Sequence, residues 1–337
     1  MHVLVTGATG FVGSHAVAAL RARGHRVRCL VRSPEKLERL VAARAIEVDE
    51  AVAGDVTDAA AVDRALAGCD AVLHAAAVVA LESGRAREVL GTNRRGVELV
   101  VGGAHERGIT SIVYVSSLGA LWTPGGPPIH ASSPLATARS AYARSKTESE
   151  EIARRLQEQG APIRCVYPPA VVGPDDPGLS EGNHTLRVFL RDLMVITSSG
   201  FSAVDVRDLA QVLAALVEPE HGSGRFVIGG HYLAWSEMVA ALDALTGRRV
   251  RRVRIPGSLL RLLGRVGDVV KRVAPFDFPL TGEAMDFASQ WPGAVTSPEV
   301  LKLGVAFRAV HETYRDAIRW LVEAGHLPAE LAGSLAE

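Results

Sequence analysis

Tyr142 and Lys146 are four positions apart in the sequence, a spacing that puts two side chains on the same face of a helix. An ammonium group beside a phenol favours the phenolate. The hydroxyl can then exchange a proton with a substrate alcohol or carbonyl near neutral pH. Tyr-x-x-x-Lys on its own also fits a solvated helix face. Two further features give it weight here: Ser117 upstream and a glycine-rich turn that opens the chain.

The glycine-rich turn follows His2–Thr6, an apolar and β-branched segment that predicts a strand, and it leads into apolar residues at helical spacing. Strand, glycine turn and helix are the context of a dinucleotide-binding fingerprint, although an ordinary strand-to-helix turn is the alternative. Gly7 makes the sharp turn, Gly10 lets the backbone approach a pyrophosphate, and Gly13 lets the helix pack closely. Free N–H groups at the helix N-terminus face the phosphates. The candidate contacts here are Gly7, Thr9, Gly10, Phe11, Val12 and Gly13.

The spacing Gly-x-x-Gly-x-x-Gly resembles that of the short-chain dehydrogenase/reductase superfamily. Thr6–Gly13 is most similar to its extended branch, the epimerase/dehydratase and dihydroflavonol-reductase-like proteins, which also resemble 3β-hydroxysteroid dehydrogenases. Tyr167–Pro174 resembles that branch's Arg-Pro-x-x-Val-x-Gly-Pro segment beside the nicotinamide, with Pro168 where the arginine is usual. The resemblance covers nearly the whole chain and implies cofactor contacts by Pro168, Ala170 and Val171.

The same resemblance implies a role for each member of the trio. Tyr142 is the general acid/base, and Lys146 hydrogen-bonds the nicotinamide ribose and lowers the pKa of the tyrosine. Ser117 orients and polarises the substrate oxygen. Ser116 is the alternative for that role, and if Ser117 has it, Ser116 is expected to contact the cofactor. The chemistry is reasonable by itself, because a carbonyl that accepts hydride develops negative charge. It therefore needs one donor that transfers a proton and another that stabilises the oxygen.

Arg32 follows the predicted second strand, where an acidic residue would hold the ribose 2′-hydroxyl of NAD. An arginine there suits a 2′-phosphate, so we expect NADP(H) to be preferred, with NAD(H) as the alternative. A solvated loop arginine is the other reading.

Three further segments follow predicted strands. In the resembled family, the equivalent of Asp55 meets the adenine amino group and Val56 lines the ring; Asp55 could equally be a helix cap, for which Asp58 is the better candidate. Ala75, Ala76 and Ala77 are small enough for the backbone to pass close to a cofactor. We expect His74 to be a packed histidine at the end of a strand rather than a base, and Asn93 to support the site or a helix.

Composition excludes several classes of protein. The 337 residues are 48% apolar and 22% charged, with 37 basic and 37 acidic residues, so no global field recruits nucleic acid. The three cysteines are widely spaced and read as buried thiols without metal spacing. The chain contains no run of eighteen apolar residues, and its first strand starts at residue 2. We therefore expect neither a membrane span nor a leader, and a cytoplasmic protein.

The first half of the chain alternates between strand and helix patterns, which predicts a doubly wound α/β Rossmann fold with a parallel sheet covered on both faces. Strands are predicted near 2–6, 26–31, 46–53, 70–74, 111–116 and 163–167, and helices near 11–22, 34–42, 59–66, 88–107 and 140–159. Residues 1–168, with a strand and helix at about 201–220 returning to the main sheet, form the predicted NADP-binding domain. Residues 169–200 and 221–337 form a smaller mixed α/β substrate lobe. By analogy with the family, helices 88–107 and 140–159 would pair two copies into a homodimer.

Residues 256–274 have the spacing of an amphipathic helix with basic punctuation, interrupted at Gly264 and Gly267. We expect the apolar stripe to pack inside the lobe; an apolar substrate wall or a membrane-surface face is the alternative. Asn183, Arg187 and Arg191 do not have the setting of a nucleotide-sugar clamp, and Asp205 and Asp208 are expected to be structural.

These features favour an NADP(H)-dependent carbonyl reductase or alcohol dehydrogenase that acts on a small-to-medium, apolar substrate. A nucleotide-sugar epimerase or dehydratase, which removes a hydride and returns it, is the first alternative. A non-catalytic NADP-binding sensor is the second.

Overall fold

The computed structural model describes residues 1–78, 86–137, 141–273 and 281–336, and the side chains of 86–89, 141–143 and 271–273 lie outside that description. Seven parallel strands form the main sheet in the order β10-β6-β5-β4-β1-β2-β3. They are β1 (His2–Thr6), β2 (Arg26–Val31), β3 (Glu50–Ala53), β4 (Ala71–His74), β5 (Ser111–Val115), β6 (Ile163–Tyr167) and β10 (Gly224–Val227).

Helices cover both faces of this sheet. Helices α1 (Phe11–Ala22), α2 (Pro34–Arg44) and α8 (Val206–Leu216) pack on one face. The other face carries α3 (Ala59–Leu66), a π-helical turn (Val97–Gly102) that joins α4 (Ala86–Gly96) to α5 (Gly103–Glu106), and α6 (Ala141–Glu158). Val3–Val5 of β1, Ala71–Leu73 of β4 and Ile112–Tyr114 of β5 are buried apolar runs, as expected for strands covered on both sides. The predicted doubly wound fold is confirmed.

Local sequence accounts for several helix starts. Ser33 caps α2, its hydroxyl accepting the Lys36 N–H at 3.1 Å, and Pro34 occupies the first helical position. Asp58 caps α3 by accepting the N–H groups of Ala60 and Ala61, as the sequence predicts.

The smaller lobe contains two short sheets. The three-stranded sheet has the order β11-β9-β7, and the two-stranded sheet pairs β12 with β8. Its strands are β7 (Ala170–Val172), β8 (Met194–Ile196), β9 (Gly200–Asp205), β11 (His231–Ala234) and β12 (Arg252–Arg254). Its helices are α7 (Glu181–Arg191), α9 (Trp235–Thr246), α10 (Gly257–Val273), α11 (Gly282–Gln290), α13 (Val310–Glu323) and α14 (Ala329–Ala332). Helix α12 (Pro298–Leu301) packs instead against β10 of the main sheet.

The segment predicted to return to the main sheet divides between the two units. Helix α8 does pack against α1 on the main sheet, but β9 pairs with β7 and β11 in the lobe. The seventh main strand is β10, next to β6. The prediction that β9 joins the main sheet was therefore wrong. β9 is fully buried, and its residues would suit a strand of either sheet. Its pairing partner therefore depends on which strands lie next to it in the folded protein.

Helix α10 also differs from expectation in two ways. It runs unbroken through Gly264 and Gly267, and it packs through Gly264: a Cβ there would lie 2.8 Å from the Met285 side chain on α11. The Leu and Val stripe that we expected inside the lobe is exposed. Among the described residues, no helix is long and apolar enough to cross a membrane. Cys29, Cys69 and Cys165 are free and buried, as predicted.

Candidate functional site

The glycine turn lies at the carboxyl end of β1, in the middle of the main sheet. Gly7 has a φ of +77°, and the Gly10 N–H donates to the Gly7 carbonyl at 2.9 Å. A Cβ at Gly13 would lie 2.1 Å from that same carbonyl oxygen, so the helix can approach only because Gly13 has no side chain. Helix α1 starts at Phe11 without a side-chain cap, which leaves its first amides directed at any anion bound there.

The loop beyond β4 passes directly over this turn. A Cβ on Gly7 would lie 2.8 Å from the backbone of Ala75 and Ala76. The Ala75 N–H donates to the Thr6 carbonyl at 3.3 Å, which fixes the approach. The order of strands reverses between β1 and β4, and ligands of such sheets bind in the crevice beyond that point. The glycine turn, with Thr9, Phe11 and Val12, and the alanines therefore border one crevice.

His74 ends β4 and is buried in this region. Its Nδ1 lies 2.8 Å from Thr6 Oγ1, and its ring stacks on Tyr114 with 5.9 Å between centroids. Burial lowers the pKa of His74 to about 3, with a further contribution from the charge of Lys146. The imidazole is thus neutral and held by packing, in keeping with the predicted structural role.

Arg32 and Asp55 lie on the other side of β1, beyond β2 and β3. The Arg32 side chain is 78% exposed, and its Nε is 3.9 Å from Asp55 Oδ2. Asp55 accepts hydrogen bonds from the N–H and the hydroxyl of Thr57, so it shapes the loop instead of capping α3. The Val56 side chain lies close to Gly96, since a Cβ at Gly96 would be only 3.3 Å from it. The Arg32 guanidinium therefore lies exposed at this edge of the sheet, with Asp55 as an ion-pair partner.

The two candidate serines follow β5 and differ in environment. Ser116 is 3% exposed and neighbours the Glu150 carboxyl on α6. Ser117 is partly exposed, and its Oγ accepts the Gly119 N–H at 3.1 Å at the start of a 3-10 turn. That bond uses an oxygen lone pair and leaves the hydroxyl hydrogen available to another acceptor.

Tyr142 and Lys146 are one turn apart near the start of α6, as their spacing predicts. The Tyr142 side chain lies outside the described residues. Lys146 is 7% exposed, and burial lowers its pKa to about 8, while the carboxyl groups of Glu181 and Glu150 act in the opposite direction. The charge of Lys146 also lowers the pKa of His74, the last residue of β4.

Asn93 holds these parts together, a role that sequence reasoning left open. Its Oδ1 accepts the Val78 N–H at 2.7 Å, and its amide nitrogen donates to the Val78 carbonyl and to Ser145 Oγ. The side chain therefore joins the loop beyond β4 to α6, one residue before Lys146.

The segment beyond β6 completes the crevice on the lobe side. The Leu118 N–H donates to the Pro168 carbonyl at 3.1 Å, so the backbone at Pro168 supports the Ser117 segment. Ala170 and Val171 begin β7 and pair with Ala203 and Val204 of β9. Asn183 is buried and bonds Gly173 and Asp176, which leaves its amide occupied within the lobe.

Asp205 and Asp208 have the structural roles expected of them. Asp205 caps α8, pairs with Arg207 at 2.7 Å and accepts the Thr313 hydroxyl. Asp208 forms an ion pair with Arg308.

Two features of the cleft were missed by sequence reasoning. Glu181 starts α7 with a side chain that reaches solvent, yet the surrounding protein raises the pKa of its carboxyl and the charge of Lys146 opposes the shift. Trp122 lies five residues after Ser117 and contacts Phe287 and Trp291 of the lobe, with centroids at 5.6 and 6.0 Å. No local pattern marks either residue, because each depends on the lobe folding back over the sheet.

Two features of the glycine turn suit a dinucleotide. Side chains at Gly7 and Gly13 would collide with neighbouring backbone, so the chain is packed tightly there, and an uncapped helix N-terminus follows the turn. Within the described parts of the chain, no cluster of histidine, cysteine or acidic side chains could hold a metal ion.

Comparison with known proteins agrees with this geometry. The sequence profile of the NAD-dependent epimerase/dehydratase family matches residues 3–229. The chain is 27% identical over 333 residues to sterol demethylase protein B of Methylococcus capsulatus, covering 96% of this chain and 99% of that protein. It is also 27% identical over 340 residues to a putative dihydroflavonol 4-reductase of Synechocystis, covering 97% and 96%.

Among solved structures, the crystal structure of gox2253 superposes with a TM-score of 0.81 at 26% identity, covering 96% of this chain and 99% of that one. The family profile spans well over half of the chain and includes the glycine turn, both serines and the Tyr-Lys pair. The chain therefore belongs to the NAD-dependent epimerase/dehydratase family and is an NAD(P)-dependent enzyme of the extended short-chain dehydrogenase/reductase type.

Proposed function

We propose that this enzyme is an NADP(H)-dependent reductase of a small-to-medium, apolar carbonyl compound, or a dehydrogenase of the corresponding alcohol. The observation that carries the proposal is the position of Lys146, buried at the crevice one helical turn from Tyr142. With a pKa lowered only to about 8, the lysine keeps most of its charge near neutral pH. That charge favours a tyrosinate one turn away.

In this proposal the bound nicotinamide supplies or accepts the hydride. Tyr142 donates a proton to the developing alkoxide in reduction and removes it in oxidation. Ser117 donates its hydroxyl hydrogen to the same oxygen, because its lone pair already accepts the Gly119 N–H. Ser116, buried beside Glu150, is the less accessible serine.

A preference for NADP(H) is supported by Arg32. Its exposed guanidinium follows β2, where the fold places the adenosine ribose, and Asp55 is its acidic neighbour at 3.9 Å. That long contact is weak enough for a 2′-phosphate to compete with the carboxylate.

An apolar substrate is supported by the wall beyond Ser117. Trp122, Phe287 and Trp291 form an aromatic cluster that joins the sheet domain to the lobe, and two of the three, Trp122 and Phe287, are partly exposed. Asn183 is fully used by Gly173 and Asp176, which weakens the case for a nucleotide-sugar clamp. The names of two relatives, sterol demethylase protein B and dihydroflavonol 4-reductase, point to ring-containing apolar compounds.

The test combines cofactor and turnover measurements. Protein purified without added nucleotide should release none on denaturation and should then bind NADPH more tightly than NADH. A panel of apolar ketones and aldehydes should reveal NADPH oxidation. Nucleotide that co-purifies at one equivalent would instead favour an epimerase or dehydratase, which keeps its cofactor through the cycle.

Tyr142→Phe separates the enzyme from the non-catalytic sensor. We expect turnover to fall by a factor on the order of 10² to 10⁴, the usual contribution of a general acid/base, with NADPH affinity nearly unchanged. Undiminished turnover in this variant would refute the role of Tyr142. NADPH binding by the wild type with no turnover of any carbonyl or alcohol would favour the sensor.

A further inference from the structure

Helix α10 is fixed to the lobe by a narrow strip of its surface. Leu260 is 2% exposed, and Gly264 and Gly267 are buried, with Gly264 against Met285 of α11. The carboxylate of Asp268 accepts the Gly282 N–H at 3.1 Å and so holds the start of α11. Contact through glycines lets the helices approach closely and uses little of the apolar surface of α10.

Apart from Leu260, the described apolar side chains of α10 lie on the opposite face. Six of them are between 38% and 57% exposed: Leu259, Leu262, Leu263, Val266, Val269 and Val270. At about 100° per residue, these six positions fall within a stripe about 120° wide, as broad as the stripe that a surface helix normally buries. Exposed apolar surface of this extent marks an interaction site.

The charge along this part of the chain is nearly all of one sign. Residues 248–273 contain nine arginines and lysines and a single acidic residue, in a chain whose net charge is zero. The acidic residue is Asp268, which already binds the Gly282 N–H. Arg265 is exposed and borders the stripe. Arg251, next to β12, and Arg254, on β12, are exposed just before the helix. An anionic partner is therefore favoured.

A second copy of the chain fits this surface poorly. A two-fold interface would bring two sets of these basic residues together, and like charges oppose such a contact. A helix with an apolar stripe, basic flanks and few acidic residues has instead the character of helices that lie in the boundary of an anionic bilayer.

We propose that α10 docks this enzyme on the surface of an anionic lipid bilayer, with its Leu and Val stripe in the acyl boundary and its arginines among the headgroups. The proposal concerns peripheral attachment and does not depend on the reaction that the enzyme catalyses.

The test uses the full-length protein and vesicle sedimentation. Phosphatidylcholine vesicles are compared with vesicles that also contain phosphatidylglycerol, at low and high salt. We expect at least tenfold stronger partitioning onto the anionic vesicles, weakened by salt because screening acts on exposed charges. Leu262→Ser with Val266→Ser should reduce partitioning at least tenfold. The matched control is Val295→Ser with Leu301→Ser, two residues exposed to similar degrees away from α10, which should leave partitioning unchanged.

A second pair of variants, Arg254→Gln with Arg265→Gln, tests the charge without altering the apolar stripe and should lower binding to anionic vesicles severalfold. These side chains are exposed, so melting temperatures should stay close to that of the wild type. Absence of binding to anionic vesicles, equal binding to neutral ones, or full binding by the Leu262/Val266 variant would each overturn the proposal. So would a dimer in light scattering that this variant converts to a monomer, because a second copy would then cover the stripe.

Discussion

The side-chain amide of Asn93 donates a hydrogen bond to Ser145 Oγ over 3.1 Å, and Ser145 directly precedes Lys146 in α6. The same side chain bonds both backbone groups of Val78, beyond β4. One buried amide thus connects the loop that passes over the glycine turn with the helix that carries the proposed acid/base pair.

Asn93→Ala should therefore destabilise the protein and disturb the site together. Removal of the amide leaves the N–H and C=O of Val78 without these partners, and an unsatisfied buried group costs about 1–3 kcal/mol. We expect the free energy of unfolding in urea to fall by about 2 kcal/mol, with reduced turnover. Arg94→Ala is the control, since its exposed ion pair with Glu98 contributes little. Equal stability of the two variants would contradict the role given to Asn93.

A comparison of Gly7 with Gly24 separates the energetic cost of a positive φ from the cost of a close contact with neighbouring backbone. Both have positive φ, +77° and +80°, but a Cβ at Gly7 would lie 2.8 Å from the Ala75 backbone, whereas one at Gly24 would meet nothing within 4 Å. Gly24→Ala should cost only the backbone strain, about 1 kcal/mol. Gly7→Ala should cost clearly more and weaken nucleotide binding at least tenfold. Isothermal titration with NADPH measures the difference, and equal nucleotide affinity in the two variants would exclude a crevice bordered by Gly7.

Arg32→Ala should affect one cofactor only. If its guanidinium holds the 2′-phosphate, loss of a hydrogen bond to a charged group, about 1.5–3 kcal/mol, lowers NADPH affinity roughly 10- to 100-fold. NADH affinity should change little. Arg23→Ala is a suitable control, because Arg23 is an exposed arginine at the far end of α1. Wild-type protein that binds NADH as tightly as NADPH would refute the preference for NADP(H).

Because of Lys146, the free energy of unfolding should change with pH in the alkaline range. Burial lowers its pKa to about 8, whereas a lysine in the unfolded chain titrates near about 10.4. Below pH 8 both states bind the proton, so the native state carries the full cost of the buried charge. Between these two values the unfolded state binds more protons, and stability rises with pH.

Relative to Lys146→Met, the wild type should gain up to roughly 3 kcal/mol between pH 7 and pH 10, since one pKa unit corresponds to about 1.4 kcal/mol. Urea denaturation of both proteins across that range measures the gain, and the variant cancels contributions from other groups. Parallel pH profiles for the two proteins would show that the pKa of Lys146 is not lowered.

The sequence by itself determined what depends on neighbours along the chain. Gly7 and Gly13 mark the turn because a side chain at either would collide with neighbouring backbone, and Gly7 also has a positive φ. Alternating strand and helix patterns gave the parallel sheet, and Asp58 identified the start of α3 by its capping side chain. The four-residue spacing of Tyr142 and Lys146 placed both on one turn of α6.

Only the tertiary structure decided what depends on partners distant in the chain. Periodicity tells which residues share a face but not what covers that face, so the partner of β9 and the exposed stripe of α10 were assigned wrongly. Gly264 and Gly267 of α10 looked like interruptions, yet both are buried in an unbroken helix, and Gly264 packs against α11. The lowered pKa of Lys146 and the three bonds of Asn93 likewise arise where separate segments exclude water together, which no local pattern records.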